Sequence, residues 1–258
     1  MDVFAYLSQQ ARQTQVVVMA GGEGKRMGYI NVPKPLIELN GETLLARCIR
    51  YMASNGFGEI IVLTKFREVV KEAEKLASQG YNIRYALDPP LKKVGKGKAL
   101  KHALDTGVLD PNRRIFVVFP DDLFLDGSLP LRFLASHLEA VNRLGVWGSV
   151  AVTSGLQLPY GYVEIDTHGL ATSFKEKPVL PIHVSIGLYI FEPPALRLLQ
   201  ETVNMNTEEV VEFENTLLPM LAEKNKLHVF IVPRDAWLPI NTLKELEDAL
   251  KVLSSNKT

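Results

Sequence analysis

The segment Gly21-Gly22-Glu23-Gly24-Lys25-Arg26-Met27 follows directly on the apolar run QVVVMA, which ends at Ala20. Successive backbone N–H groups in a glycine-rich turn at a strand end can form a concavity for an anion. Cations stand immediately behind it. Two familiar phosphate motifs do not fit: a dinucleotide fingerprint needs glycine where Met27 stands, and a Walker loop needs Gly-Lys-Ser/Thr where Gly24-Lys25-Arg26 stands. Taken alone, the segment reads equally as a glycine-rich turn with solvated charges. Pro33-Lys34-Pro35 shifts that balance, because each proline fixes its own φ and biases the preceding residue toward extended geometry. A lysine on so stiff an arm suits a phosphate met in fixed register, whereas a solvated one gains nothing from it. In a second cluster, FPDDLF, Asp121 and Asp122 end another apolar run. Paired carboxylates there suit a hard cation shared with phosphate oxygens, and equally a polar turn or helix cap.

The elements that must position these groups alternate. QVVVMA is apolar on both faces, as in a buried strand of a parallel sheet. LLARCIRYMASNG has a helical pattern stopped by Gly56, and the strand EIIVLT follows. A helix ended by Gly80, a strand NIRYAL, a helix KALKHALDTG ended by Gly107 and a buried strand RRIFVVF continue the series. Such alternation predicts an α/β fold, with a Rossmann-like, mostly parallel sheet flanked by helices and a ligand crevice at the carboxyl ends of the strands. The loops after Ala20 and Phe119 lie at two such ends. Beyond about Gly148, SVAVTSG, YGYVEI, LATSFKEK and HVSIGLYIF read as hairpin-linked strands, an antiparallel extension capping the crevice. A helix through NTLLPMLAEK, a strand LHVFIV and a helix from about Thr242 close the chain.

VVVMAGGEGKRMGYINVPKPLIELNGETLL resembles the signature of the sugar-1-phosphate nucleotidyltransferases, a G-x-G-x-R-M loop followed by P-K-P-L. The resemblance extends from Gln15 to Leu250 and implies the nucleotide-diphospho-sugar transferase type of fold. It implies a loop, here Ala20, Gly21, Gly22, Gly24 and Lys25, that cradles a triphosphate, an arginine, Arg26, on its oxygens, and a transition-state lysine, Lys34. Phe119-Pro120-Asp121 matches the family's metal site and points to Asp121 rather than Asp122 as a Mg2+ ligand. VGKGKALKHAL matches a glycine-rich helix start that approaches the nucleotide through Gly95 and Gly97, while the preceding Asp88-Pro89-Pro90-Leu91 leaves the base open. In the later half, YGYVEI, FKEKP and VSIGLYIF are similar to sugar-binding strands, which implies Gly161, Glu176 and Gly187 on the sugar and Lys177 on its phosphate. A carboxylate that accepts from hydroxyls and a lysine that meets a phosphate are chemically suited to those tasks.

One motif departs from the family. Trp237-Leu238-Pro239-Ile240-Asn241-Thr242 has proline where W-x-D-x-G-T carries a second metal aspartate. Asn241, two places later, is the substitute ligand that the resemblance offers, but it also adjoins a capping box from Thr242 to Glu245, so a purely structural role stands beside it.

With 29 basic and 29 acidic residues in 258, no global field draws the chain to nucleic acid or an anionic membrane. A single cysteine, Cys48, excludes an internal disulfide and a cysteine-based zinc site. No apolar stretch approaches the ~20 residues of a membrane span, and MDVFAYLSQQARQTQ lacks the features of a signal peptide, so a cytoplasmic location is expected. We expect an N-terminal extension over 1–14 and one domain over 15–258, with a nucleotide-binding half to about 145 and a sugar-binding half from about 146. The five histidines lack ligand spacing and are read as structural or surface residues.

The resemblance implies an enzyme that makes a nucleotide sugar and pyrophosphate by in-line attack on the α-phosphorus, with no covalent intermediate. The expected partners are a nucleoside triphosphate and a sugar 1-phosphate, with homo-oligomerisation open. UTP and glucose 1-phosphate are the first expectation; a mannose-1-phosphate guanylyltransferase, another phosphate acceptor, and a non-catalytic nucleotide-sugar sensor are the alternatives.

Overall fold

The strand β1 (Gln15–Met19) is buried at every position, because neighbours flank it on both edges and helices cover both of its faces. The computed structural model describes residues 2–24 and 32–255; Lys25 and Arg26 lie outside them. Before β1 runs the helix α1 (Val3–Gln13), capped by Asp2. A hairpin of β2 (Glu38–Leu39) and β3 (Glu42–Thr43) leads into α2 (Leu44–Ser54), whose cap is Thr43 accepting from the Ala46 amide at 3.1 Å. Then come β4 (Glu59–Thr64), α3 (Arg67–Ser78), β5 (Ile83–Leu87), α4 (Gly95–Asp105), β6 (Ile115–Val118), β7 (Asp122–Phe124) and α5 (Leu129–Leu144). The later part comprises β8 (Gly148–Thr153), β9 (Leu156–Gln157), β10 (Tyr162–Ile165), β11 (Ala171–Lys175), β12 (Val179–Leu180), β13 (Val184–Phe191), α6 (Pro193–Thr202), α7 (Leu217–Glu223), β14 (Leu227–Val232), β15 (Trp237–Pro239) and α8 (Leu243–Ser255).

Seven strands form the central sheet in the order β14-β8-β13-β6-β1-β4-β5. Only β13 runs antiparallel to its neighbours. Alternate residues of β1, β4 and β6 point to opposite faces, as the period of two requires. Val16, Ile60 and Phe116 meet α1, α2, α3 and α5 on one face, while Val17, Ile61 and Val117 meet α4, α6 and α7 on the other. A smaller cluster of Leu39, Leu44, Leu123 and Ile240 lies under α8. No helix among the described residues is long and apolar enough to cross a membrane.

Three differences from the sequence reading follow from packing. The strands β8 and β13, expected in an antiparallel extension, complete the central sheet together with β14, because they continue the same two cores. Of the strands expected in that extension, the β10–β11 hairpin stands apart from the central sheet, as do the short pairs β9–β12, β7–β15 and β2–β3. The helix α4 begins at Gly95 rather than at Lys98, and residues before β1 form a helix that packs on α5 through Tyr6, Leu7 and Ala11.

Candidate active site

The strands β1 and β6 are parallel neighbours, so the loops that leave their carboxyl ends emerge side by side. The first loop starts at Ala20, whose amide donates to the Leu63 carbonyl at 2.7 Å and whose carbonyl accepts from the Thr64 hydroxyl at 2.9 Å. Ala20 is thereby consumed as an anchor, and Gly21 to Gly24 are left to face the cleft. The arm Pro33-Lys34-Pro35 folds back against this loop: the Lys34 amide donates to the Gly22 carbonyl at 3.1 Å, and Lys34 to Leu36 make one 3-10 turn. A methyl group added at Gly24 would approach the Lys34 Cβ to 3.5 Å. The loop is glycine-rich in part because the lysine stem lies across it.

The Lys34 side chain is 10% exposed and ends between two oxygens, donating to the Asp121 carboxylate and to Asn241 Oδ1 at 3.1 Å. A short antiparallel ladder brings these oxygens together. β15 pairs with β7, placing Pro239 opposite Asp122, and the Ile240 amide donates to the Asp121 carbonyl at 2.8 Å. Asn241 has one partner for its main chain and another for its side chain. Its main-chain N–H donates to Glu245 Oε2 at 2.8 Å in the α8 cap, while its side chain turns to Lys34. The cap itself forms, with the Glu245 amide donating to Thr242 Oγ1 at 3.2 Å.

Asp122 points the other way. Its Oδ1 accepts from Trp237 Nε1 at 2.8 Å, and its Oδ2 fills the space over Gly187, where an added Cβ would sit 2.1 Å away. Burial, and the Asp121 charge beside it, push the Asp122 carboxyl well above the usual carboxylate range, while the Trp237 hydrogen bond opposes the shift. The close neighbour of Gly187, which the resemblance puts on the sugar, is therefore Asp122. Gly95 and Gly97 also have partners within the protein: an added Cβ would come within 2.5 Å and 2.9 Å of the Val211 carbonyl, which accepts the Gly97 amide at 2.8 Å.

Gly21, Gly22, Glu23, Gly24, Lys34, Lys65, Asp121 and Asn241 line a cleft of about 390 Å³. Through Gly21, Gly22, Glu23 and Lys65 it shares a wall with a cavity of about 840 Å³, which runs over the ends of β4 and β5 to Gly95, Phe119 and Val210. The pair matches the size range of small-molecule sites and extends from a polar end to one of mixed apolar and charged lining. Lys65 pairs with Glu23 of the glycine loop. It was not singled out in the sequence, although it is the first residue after β4 and strand ends are where an α/β sheet binds ligands.

The hairpin lobe holds the other expected residues. Gly161 lies beneath Phe174 and Glu176; an added Cβ would meet the Phe174 ring at 2.8 Å and Glu176 Oε2 at 3.2 Å. Lys177 is exposed at φ +45, just past β11. Neither Glu176 nor Lys177 lines the cleft of Lys34 and Asp121, since β10 and β11 pair only with each other.

Two oxygen donors from separate elements converge on one cation in Asp121, Asn241 and Lys34, which is the donor chemistry of a hard divalent ion. Among the described residues no group of three or more His, Cys, Asp or Glu could hold a metal. Asp121 and Asn241 would suit an ion that takes few protein ligands and completes its shell with phosphate oxygens and water.

A solved structure of a Bacillus anthracis chain described as a glucose-1-phosphate thymidylyltransferase superposes with a TM-score of 0.69 at 18% identity, over 93% of this chain and 94% of that one. This likeness establishes the fold. Mannose-1-phosphate guanyltransferase of Saccharomyces cerevisiae is 25% identical over 236 residues, 89% of this chain. The mannose-1-phosphate guanylyltransferase catalytic subunit beta of Danio rerio is 25% identical over 241 residues, 90% of this chain. The chain spans 62% of the length of these curated relatives. Residues 15–256 match the nucleotidyl transferase family, and the chain, which has that family's fold and carries its glycine loop and Pro-Lys-Pro arm, belongs to it.

Proposed function

We propose that this chain joins a nucleoside triphosphate to a sugar 1-phosphate and releases pyrophosphate. We further propose that the substrates are GTP and mannose 1-phosphate rather than the UTP and glucose 1-phosphate first expected from the sequence. The change of substrate pair rests on the relatives, which are named for guanylyl transfer to mannose 1-phosphate and match about nine-tenths of this chain. What carries the activity is one observation: Lys34, Asp121 and Asn241 converge beside the glycine loop at the carboxyl ends of β1 and β6.

The attacking oxygen of a sugar phosphate is already anionic near neutral pH, so the barrier is repulsion between two phosphorylated reactants rather than the lack of a base. That oxygen bonds to the α-phosphorus as the bond from the α-phosphorus to the bridging oxygen breaks, and pyrophosphate leaves with the electron pair. The amides of Gly21 to Gly24 hold the phosphates in register, and Lys34 places positive charge where charge develops. Mg2+, when held by Asp121 and Asn241, would screen the phosphate charges further. In this reading the roles that the resemblance implies are kept: Lys25 belongs to the nucleotide loop, Arg26 meets the leaving pyrophosphate, and Gly161, Glu176 and Lys177 belong to the acceptor side. Gly95 borders the nucleotide cavity, Gly97 fixes the loop behind it, and Gly187 acts indirectly by seating Asp122.

A second reading, a sensor that binds a nucleotide sugar without turnover, is favoured by Pro239 in the place of the second aspartate. Pyrophosphate release separates the two. In a matrix of nucleoside triphosphates against sugar 1-phosphates, an enzyme releases pyrophosphate only when both substrates and Mg2+ are present. Lys34→Ala is expected to lower kcat/KM by roughly 10²-fold to 10³-fold, the size of effect that follows loss of one preorganised transition-state donor. Binding without release from any combination would leave the sensor.

A further inference from the structure

The glycine loop carries one charge at odds with an anionic ligand. Of the residues that line the smaller cleft, Lys34 and Lys65 are cations and Glu23 and Asp121 are carboxylates, so their charges cancel where a triphosphate is proposed to sit. The two cations are held differently. Lys34 is fixed on its proline arm between Asp121 and Asn241, with little of its side chain open to water. Lys65 pairs with Glu23, and these two side chains are 40% and 37% exposed. An ion pair so open to solvent contributes little and costs little to part. In the proposed reaction Asp121 serves Mg2+, but Glu23 has no such task. It sets a carboxylate among main-chain amides that are to receive phosphate oxygens.

The main chain under Lys65 is anchored to the same loop. Thr64, the last residue of β4, donates its hydroxyl to the Ala20 carbonyl at 2.9 Å and accepts the Phe66 amide at 3.2 Å, so Lys65 is held beside the point where the loop leaves β1. Its side chain borders both cavities, as do Gly21, Gly22 and Glu23, and its charge also acts on Asp88 in the larger one. A nucleotide that spans the two cavities passes Lys65 at their shared wall. A lysine ammonium has three rotatable donors and no required plane, so it can exchange a carboxylate for phosphate oxygens by turning its end. A triphosphate is the stronger partner, because it carries several negative charges where the carboxylate carries one.

On the reading of this cleft as a nucleotidyl-transfer site, we propose that Lys65 binds the triphosphate and that Glu23 is its internal competitor, an anion of the protein that neutralises Lys65 before the nucleotide enters and yields it afterwards. The exchange breaks one ionic contact and forms another, with no covalent step. Because the phosphates are common to all nucleoside triphosphates, both residues act alike whatever the base.

Calorimetric titration of the full chain in MgCl2 with GTP, UTP, ATP and inorganic tripolyphosphate tests the exchange without requiring turnover. Lys65→Met should weaken each ligand that the wild type binds by roughly 10-fold to 100-fold, the loss expected for a hydrogen-bonded contact between charged groups. Lys65→Arg, which keeps the charge, should recover most of that loss. Glu23→Gln removes the competitor and should tighten binding by up to about fivefold, the limit set by an exposed ion pair. Unchanged binding in Lys65→Met would overturn the proposal. So would a loss for the nucleotides without a loss for tripolyphosphate, which would place Lys65 on the nucleoside. Weaker binding in Glu23→Gln would make Glu23 a support of the site and sink its role as competitor. Should Lys65→Met not fold, the sign of the Glu23→Gln shift still decides. Binding that follows these shifts with no pyrophosphate release would leave the exchange standing and sink the catalytic reading, whereas pyrophosphate release with affinity untouched in both variants would do the reverse.

Discussion

At the scale of single residues, the site separates side-chain chemistry from main-chain architecture. The Asn241 N–H serves the α8 cap through Glu245, but its Oδ1 faces Lys34, so replacing the side chain leaves the capping bond in place. If Asn241 Oδ1 is a ligand, its charge sets the affinity for the ion. Asn241→Asp should lower the Mg2+ concentration for half-maximal rate several-fold, and Asn241→Ala should raise it on the order of tenfold, read from rate against MgCl2. A shift in melting temperature with unchanged Mg2+ dependence would confine Asn241 to the helix start. Lys34 and the Asp121–Asp122 pair were legible in the sequence because two prolines and a strand-end carboxylate pair are local signals, although the choice of Asp121 within the pair came from its motif. Lys65 was not, since a lone charged residue after a strand looks like any solvated turn until the fold sets it against a cavity. Glu176 and Lys177 were legible only through their motif, and the structure keeps them on a hairpin whose strands are paired apart from the central sheet.

At the scale of elements, Gly187 of β13 makes the space that the Asp122 carboxylate of β7 occupies. Gly187 adopts φ +76 and leaves room for the Asp122 carboxylate, which is also held by Trp237 of β15. The neighbouring carboxylates thus face opposite ways. Alanine at Gly187 would carry both a left-handed backbone and an overlap at 2.1 Å with Asp122 Oδ2. Gly107, also left-handed at φ +73, has nothing within 4 Å of an added Cβ. Gly107→Ala should therefore cost about 1 kcal/mol, and Gly187→Ala about 3 kcal/mol. For a chain of this size that is a difference of roughly 4–8 °C in Tm. Equal melting shifts for the two variants would show that the Asp122 contact is not what Gly187 protects. The alternation of β1 to β6 with helices could be read directly, because apolar periodicity is local. That β8, β13 and β14 enter the same sheet could not, because strand order depends on which faces remain to be covered after the first half has formed. β7 and β15 were missed for a related reason: each is three residues long, too short for a periodic pattern, and exists through its partner.

At the scale of the whole molecule, a buried polar network ties the early half of the chain to the late half. His137 of α5 meets Ser149 Oγ of β8 at 2.7 Å through Nδ1 and Glu192, at the start of α6, at 3.0 Å through Nε2. Ser149 also meets His228 of β14 at 3.1 Å, and Glu192 pairs with Arg114, which reaches Gln10 of α1 at 3.0 Å. Burial pulls His137 below its ordinary value near 6.5, despite the Glu192 hydrogen bond that works to raise it. Burial likewise lowers His228. For Glu192, burial works to raise the carboxyl, but hydrogen bonds and charge from His137 and Arg114 outweigh it, and the net shift is downward. All three shifts have the same consequence. Where a folded-state pKa lies below the unfolded one, the unfolded chain binds more protons between the two values, so stability falls as pH falls. For the histidines the loss begins near pH 6.5 and continues toward their folded values; for Glu192 it begins near the ordinary value of 4.5. His137 alone can contribute a slope of at most about 1.4 kcal/mol per pH unit. Urea unfolding between pH 5.5 and 7.5 should show the wild type losing stability toward acid. His137→Asn, less stable throughout because a buried contact is lost, should give a flatter curve over the same interval. The slope separates this effect from packing, since a cavity or a lost hydrogen bond lowers the whole curve without tilting it. A variant curve parallel to that of the wild type would mean that His137 is protonated equally in both states, and that the network joins the two halves of the chain without making their union sensitive to pH.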